Sequence, residues 1–386
     1  MMQILLIEQD DVRLLWPFSA THCSWELRYG HFTILERWQR VAAPHSVCVS
    51  SPRRPVEAAF MERYGQDVAE LSHVPTLVMA SNAALSVSTM RSIIASVADR
   101  PMRIVCGTDT IGVFLPTPFG TITAINDSIN ALGADDVDVL LVDGTVISGL
   151  WQIYDLLKNA ISDDASLVDR HTASTAHVHP TAVLDTRHGP ILIDEGAIIE
   201  PLAVVMGPVS IGRQCLVKPH TTLRTVVLGP LCKVAGELDT VVMQGYGSKQ
   251  HGGFAGHSYL CEWTNLGAGS ITSNLLNTYG MIVSHLPSGR VSTERMFVGL
   301  AMGEHSKSAI GTTFMTGTNI GVCANVVTPE YPPALVPSFM WKDNASPRVT
   351  LQKALATART VMLRRSVQMG PNMEALITSI HEHGDV

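Results

Sequence analysis

Residues 193–223 read IDEGAIIEPLAVVMGPVSIGRQCLVKPHTTL. Ile193, Ile199, Val205, Ile211, Val217 and Leu223 recur every six residues, without a break over five intervals. Two positions before the later members stand Ala197, Ala203, Val209, Cys215 and Thr221, so a bulky aliphatic alternates with a small or short side chain at a fixed offset. Internal repetition of this kind predicts a solenoid, in which each repeat buries its apolar residue against its neighbours. A hexad suits a left-handed parallel β-helix: the aliphatic fills the interior of a prism, the smaller residue fits near a corner, and glycine and proline supply the turns. The alternative is chance spacing in a glycine-rich sandwich. The register returns at Leu228–Val234, Leu260–Leu266 and Ile320–Val326, which extends the helix from about His177 to about Val327 and predicts a domain over 171–330. Such a prism has an open end and flat faces, so capping and assembly into a homotrimer are expected.

Beyond the repeats, the 386 residues exceed what one compact core usually holds, so two domains and a short appendage are expected. Charged residues are 16% of the chain against 46% apolar ones, a profile that excludes extensive disorder. The formal charge of −7 and the lack of any basic run argue against nucleic acid as a partner. Seven scattered cysteines without a C-x-x-C pair suggest neither a disulfide framework nor a zinc site and fit a reducing cytoplasm. The start, MMQILLIEQDD, has no basic leader, and no stretch is apolar enough to span a membrane, so a soluble, unprocessed protein is expected.

Residues 1–170 alternate strand and helix patterns: ILLIE, a helix near HFTILERWQRV, then SVCVS, PTLVMAS, RIVCG and VDVLLVDG. This predicts an α/β, Rossmann-like domain with a boundary near 165–177. Residues 331–386 begin with a proline-rich stretch expected to be an extended strap. Ser346-Pro347 then predicts the start of an amphipathic helix through Leu351, Ala354, Leu355, Ala358, Val361 and Met362. Its Lys353, Arg359, Arg364 and Arg365 read either as a solvated face or as contacts to an anionic cofactor tail.

The stretch 245–274, GYGSKQHGGFAGHSYLCEWTNLGAGSITSN, interrupts the cadence. A helix that only stacks has no use for a glycine-rich loop carrying His251 and His257, so the loop points to function. The segment from His251 to Asn274 resembles the acetyltransferase half of the bifunctional N-acetylglucosamine-1-phosphate uridyltransferases, where a histidine precedes an N-[IL]-G-A-G-[ST]-I-T-x-N motif by the fourteen residues that separate His251 from Asn265. Lys218-Pro219 matches a basic residue and proline of that family, and Ala268-Gly269 the stretch beside the pantetheine arm of acetyl-CoA. With LLWPF, WELRYG and RTVMLRR, the whole chain looks closer still to a branch of sugar nucleotidyltransferases with a hexapeptide-repeat C-terminus.

The resemblance implies acyl transfer from acetyl-CoA or another acyl-CoA to an amino or hydroxyl group of a sugar phosphate or nucleotide sugar. His251 would be the general base and Asn265 its partner in holding the acyl or amide group; a packed, structural His251 is the alternative. It further implies Ala268 and Gly269 toward the cofactor and Phe254, Asn274 and Arg28 toward the substrate; Arg364 and Arg365 of the C-terminal helix are candidates for the cofactor, and Lys218, Arg224 and Lys249 for a substrate anion in place of family lysines missing here. His257 reads as structural, while Trp263 and Phe254 read as pocket lining or interface packing. Phe254 replaces a family tyrosine, and Val241 and Gly280 stand where the family has lysines, which weakens glucosamine 1-phosphate as the acceptor.

The family's L-x-x-G-x-G-T-R phosphate loop is missing, since the first glycine is Gly30. Asp10, Asp11, Arg13 and Arg28 are expected either to supply metal and phosphate contacts or to form a plain surface cluster. Asp109 and Asp143, at strand ends, are candidates for Mg²⁺, with Asp10. Two other functions stay open: a UTP- or dTTP-dependent sugar-1-phosphate nucleotidyltransferase whose β-helix only assembles it, and a non-catalytic nucleotide-sugar-binding scaffold.

Overall fold

The computed structural model describes residues 2–9, 11–65, 68–342 and 348–384. Two compact units form, one from residues 1–11, 23–27 and 32–148, the other from 12–22, 28–31 and 149–386. The division falls after Ser148 rather than near 165–177. The reason is the helix α5 (Ile153–Asp164), numbered here in chain order, which packs on the strands Thr222–Leu228 and Glu237–Met243 of the second unit.

In the first unit β1 (Gln3–Ile7), β2 (Ser46–Ser50), β3 (Val74–Ala80), β4 (Met102–Cys106), β5 (Asp109–Phe119) and β6 (Asp138–Val142) make one sheet in the order β2-β1-β3-β5-β4-β6. β1 runs parallel to β2 and β3, β5 is antiparallel to both its neighbours, and β4 is parallel to β6. The strands expected from the sequence are all present. Helix α1 (Ile34–Ala42) starts where Thr33 accepts from the Glu36 N–H and the Glu36 carboxylate accepts from the Thr33 N–H, a reciprocal cap. The helices α2 (Arg54–Tyr64), α3 (Val87–Ser96) and α4 (Ile122–Ala131) complete the alternation.

The second unit is a parallel β-helix. Strands pair in parallel from His177–Val178 to Trp341–Lys342, and the six aliphatics of the cadence are each at most 2% exposed. Ala197, Ala203, Val209, Cys215 and Thr221 are buried with them. One corner column is turned by non-glycine residues in the left-handed region: Gln214, Leu231, Tyr246, Trp263, His305, Cys323 and Phe339, with φ from 55° to 62°. Such a conformation costs a side chain about 1–2 kcal/mol, which the ladder above and below offsets; Tyr246 N–H, for instance, donates to the Pro230 carbonyl at 2.7 Å. Tyr246 and Trp263 stack at 4.0 Å along this column.

Coil length is what varies. The partner offset is 15 residues from Lys233 to Ser248, 17 from Glu237 to Phe254, and 42 from Leu260 to Met302. The long excursion carries the hairpin Val283–Leu286 with Gly289–Ser292.

The proline-rich stretch is not an extended strap. Leu335–Val336 and Trp341–Lys342 pair in parallel with the preceding coil, because Pro333 and Pro337 flank a strand and need not donate within it. The Ser346-Pro347 start lies outside the described residues; helix α6 (Leu351–Leu363) is capped by Thr350, whose hydroxyl accepts from the Lys353 N–H. A second helix, α7 (Pro371–His383), follows beyond the single one expected, although Gly370-Pro371 with Met373, Leu376, Ile377 and Ile380 gives the same signal.

Candidate functional site

The corner after Ser248–Lys249 spans residues 250–253, two more than the corner Ala235–Gly236 below it, which accounts for the rise in offset from 15 to 17. His251 sits at its tip, exposed, and its imidazole has no hydrogen bond among the described residues. The next corners bring glycines into line. Gly269 N–H donates to the Gly252 carbonyl at 2.9 Å, and Gly311 N–H to the Ala268 carbonyl at 2.7 Å. A Cβ on Gly252 or Gly311 would meet nothing within 4 Å, and on Gly269 only Gly311 backbone at 3.9 Å. His251 therefore stands at the head of a backbone track bare of side chains. A concavity of about 540 Å³ lined by Gly311, Thr313, Thr328, Pro329, Glu330 and Tyr331 continues it.

Asn265 is held in the ladder between Ser248 and Lys307 through its backbone, and its carboxamide has no partner among the described residues. His251 and Asn265 thus lie on successive coils, Asn265 beside the residue three before His251. No hydrogen bond joins them.

Lys249 corrects an expectation. It is 1% exposed, and its ammonium donates to the carbonyls of Ala235 (2.9 Å), His251 (3.2 Å) and Gly253 (2.9 Å), so it cannot reach an anion on the surface. Burial pulls its pKa down to about 8. Lys218 is partly buried on an earlier corner of the same column and makes no ion pair among the described residues. Arg224 faces Asp239 at 3.6 Å, which engages the guanidinium meant for a phosphate.

A second histidine is differently placed. His257 turns a corner with φ 41°, and its Nδ1 lies 2.9 Å from the Asn274 amide nitrogen. Phe297 stacks on the ring at 5.1 Å and Tyr154 meets it edge-on at 5.9 Å. A Cβ on Gly256 would come 2.5 Å from the Asn274 amide nitrogen and 2.6 Å from the Phe254 ring, so only glycine lets these three side chains converge. An open pocket of about 510 Å³ lies here, lined by Tyr154, Asp155, His257, Glu294, Arg295, Met296 and Phe297. Burial lowers the His257 pKa, while Asp239 and Asp155 raise it by a smaller amount. Asn274 engages one ring nitrogen, and the other, Nε2, has no hydrogen bond among the described residues. Phe254 and Asn274 are brought together as a site, with His257 and not with His251. Phe297 and Tyr154 are not visible in the sequence as site residues; both come from segments distant in the chain and without a motif.

Arg364 and Arg365, at the end of α6, lie close enough to Lys233 to depress its pKa, after the larger effect of burial. Arg365 Nε is buried without a partner among the described residues. Three cations on one face make a local positive field. Arg28, expected near nucleotide phosphate, groups instead with the second unit; it is buried, its guanidinium donates to the His31 carbonyl, and its N–H donates to the Tyr259 hydroxyl at 3.3 Å.

In the first unit the carboxyl edge of β1 holds Glu8, whose carboxylate accepts from the Ser24 N–H (2.6 Å), the Ser51 hydroxyl (2.5 Å), and Arg53 at Nε (2.9 Å) and Nη2 (2.7 Å). Asp10 lies outside the described residues, and Asp109 and Asp143 are exposed near Cys106, whose pKa they raise after burial. Among the described residues no group of three metal-binding side chains exists. Likewise, among them no helix is long and apolar enough to cross a membrane.

Comparison with known proteins supports the resemblance of the chain to sugar nucleotidyltransferases. Residues 4–172 match the family described as sugar nucleotidyl transferase. A bifunctional sugar-1-phosphate nucleotidylyltransferase/acetyltransferase of Sulfurisphaera tokodaii is 27% identical over 220 residues, 55% of this chain; the chain spans about half, 51%, of that relative. Among solved structures, Arabidopsis UDP-N-acetylglucosamine acyltransferase matches at 11% identity over 55% of this chain and 96% of its own, with a TM-score of 0.21. A perosamine N-acetyltransferase from Caulobacter crescentus, in complex with CoA and GDP-perosamine, matches at 10% identity over 84% and 93%, with a TM-score of 0.12. At those scores the fold rests on the strand pairing alone.

Proposed function

We propose that the β-helix transfers an acyl group from acyl-CoA, acetyl-CoA being the simplest donor, to an amino or hydroxyl group of a sugar phosphate or nucleotide sugar. The observation that carries this reading is the free imidazole of His251 beside the bare track Gly252–Gly269–Gly311. An extended pantetheine arm needs a surface it can approach without meeting side chains, and a base must have a ring nitrogen not already engaged. His251 takes the proton as the acceptor nitrogen or oxygen attacks the thioester carbonyl. The tetrahedral adduct then expels the CoA thiolate, which takes that proton from the imidazolium; one C–N or C–O bond forms and one C–S bond breaks. The Asn265 carboxamide is available to hold the acyl or amide oxygen.

The cations Lys233, Arg364 and Arg365 fit the phosphates of the donor, from the same chain or from a neighbour in a homotrimer. The name of the Sulfurisphaera tokodaii relative pairs an acetyltransferase with sugar-1-phosphate nucleotidyl transfer. For the first unit the family match supports sugar-1-phosphate nucleotidyl transfer; the Glu8 network and the isolated Asp109 do not supply a phosphate loop or a Mg²⁺ site among the described residues. A second reading has its own observation: the His257–Asn274 pair in a pocket could place the base there instead. Thiol release from acetyl-CoA with a panel of amino sugars and their phosphates tests the proposal, and the His251→Ala and His257→Ala variants separate the two readings.

A further inference from the structure

We propose that Lys249 is the positioning residue for His251: its buried ammonium is the strut that holds the enlarged corner, and with it the imidazole, in one conformation. The inference rests on the acyl-transfer reading for its catalytic consequence only. Two added residues at 250–253 break the regular coil ladder: the Gly252 and Gly253 carbonyls keep backbone donors, but the His251 carbonyl has none among the described residues. The His251 carbonyl has Lys249 Nζ as its hydrogen-bond donor, Gly253 shares its carbonyl between Nζ and the Glu237 N–H, and the third bond ties the corner down to Ala235. The preceding corner makes room for this head group with Gly236, where a Cβ would stand 3.0 Å from Nζ.

An ammonium with three carbonyl acceptors has all its protons used and no counter-ion. Glu237 on the preceding coil and His251 on its own loop are the ionisable neighbours, both exposed; the following coil contributes Leu266 to Ala268. Burial alone accounts for its lowered pKa of about 8. Loss of the proton near that pH removes one donor and weakens the remaining two bonds, loosening the corner while the coils above and below keep their backbone ladders. Lys307 is an internal control: it is also desolvated, but its ammonium donates to the His305 carbonyl, away from the corner.

Two measurements test this on the full chain. Hydrogen exchange is followed in peptides covering 250–256 for the wild type, Lys249→Met and Lys307→Met, and in the wild type from about pH 7 to about pH 10 after correction for intrinsic rates. Lys249→Met is expected to lose about tenfold or more protection at 250–256 only, and the wild type to lose it as pH rises through about 8. In thiol release, Lys249→Met is expected to lower kcat about 100-fold with the KM for acetyl-CoA unchanged, the cost of a misplaced base; Lys307→Met should leave it near wild type. Unchanged protection at 250–256, or loss spread equally over 237–243 and 301–308, overturns the assignment. Should Lys249→Met not fold, pH-independent protection in the wild type overturns it by itself. If the wild type releases no thiol, the acyl-transfer reading fails while the exchange data still decide whether Lys249 holds the corner.

Discussion

Two histidines six residues apart occupy two corners of one coil, and their surroundings differ in every respect that matters for proton transfer. His251 is exposed on an enlarged corner, with a free ring and a bare backbone track beside it. His257 is half-buried, engaged by Asn274 and sandwiched by Phe297 and Tyr154. Residue type alone therefore does not make a catalytic histidine; the local coil geometry does. A corner with two extra residues projects its side chain beyond the prism, whereas a corner of regular length, as at Thr225, Thr240 and His257, keeps it against the next coil.

The largest expected effect separates the two rings outright. His251→Ala should lower thiol release by about 10²–10⁴-fold, the usual contribution of a general base, with the oligomer size unchanged. His257→Ala should lower it by less than about tenfold; the reverse ranking moves the base to the pocket. Next in size, Gly252→Leu should raise the KM for acetyl-CoA about tenfold, about 1.4 kcal/mol, because it puts a side chain on the track, while the melting temperature stays near wild type because the space there is open. Gly256→Ala probes the His257 side. Its Cβ must displace Asn274 and Phe254, so it should destabilise the fold by about 1–3 kcal/mol in urea titrations and have a smaller effect on KM than Gly252→Leu.

The smallest effect is a pH dependence of stability. The folded His257 has its pKa lowered by burial, so below the unfolded value of about 6.5 the unfolded chain binds more protons and the folded state loses ground as pH falls. Replacement by Phe should flatten the urea midpoint between about pH 7 and about pH 5 relative to the wild type. A wild type as flat as the variant there contradicts the burial of this ring.

Much of the fold was legible because few architectures impose a six-residue cadence, and Ile193 to Leu223 keep it without a slip. The interruption at 245–274 was legible as an interruption. What it contained was only partly so. Lys249 reads as a surface cation because lysine is almost never fully buried unless paired, and nothing local in the sequence announces three carbonyls converging on it. Phe254 and Asn274 stand out through a motif, but their partner His257 is fixed by Gly256 and Phe297, and the latter returns from a 42-residue coil that periodicity cannot close. The prolines after Val327 suggest a strap because their places at strand ends are visible only once the preceding coil is in view.

Catalysis at His251 requires the donor thioester to lie along Gly252–Gly269–Gly311 with its reacting carbon at the imidazole. An experimental structure with bound CoA measures this placement. The pantetheine arm is expected on that glycine track with its sulfur at His251, within about 4 Å of the ring when an acceptor analogue is also bound. A sulfur lodged between Phe297 and Asn274, or a CoA bound elsewhere on the prism with His251 facing solvent, contradicts it.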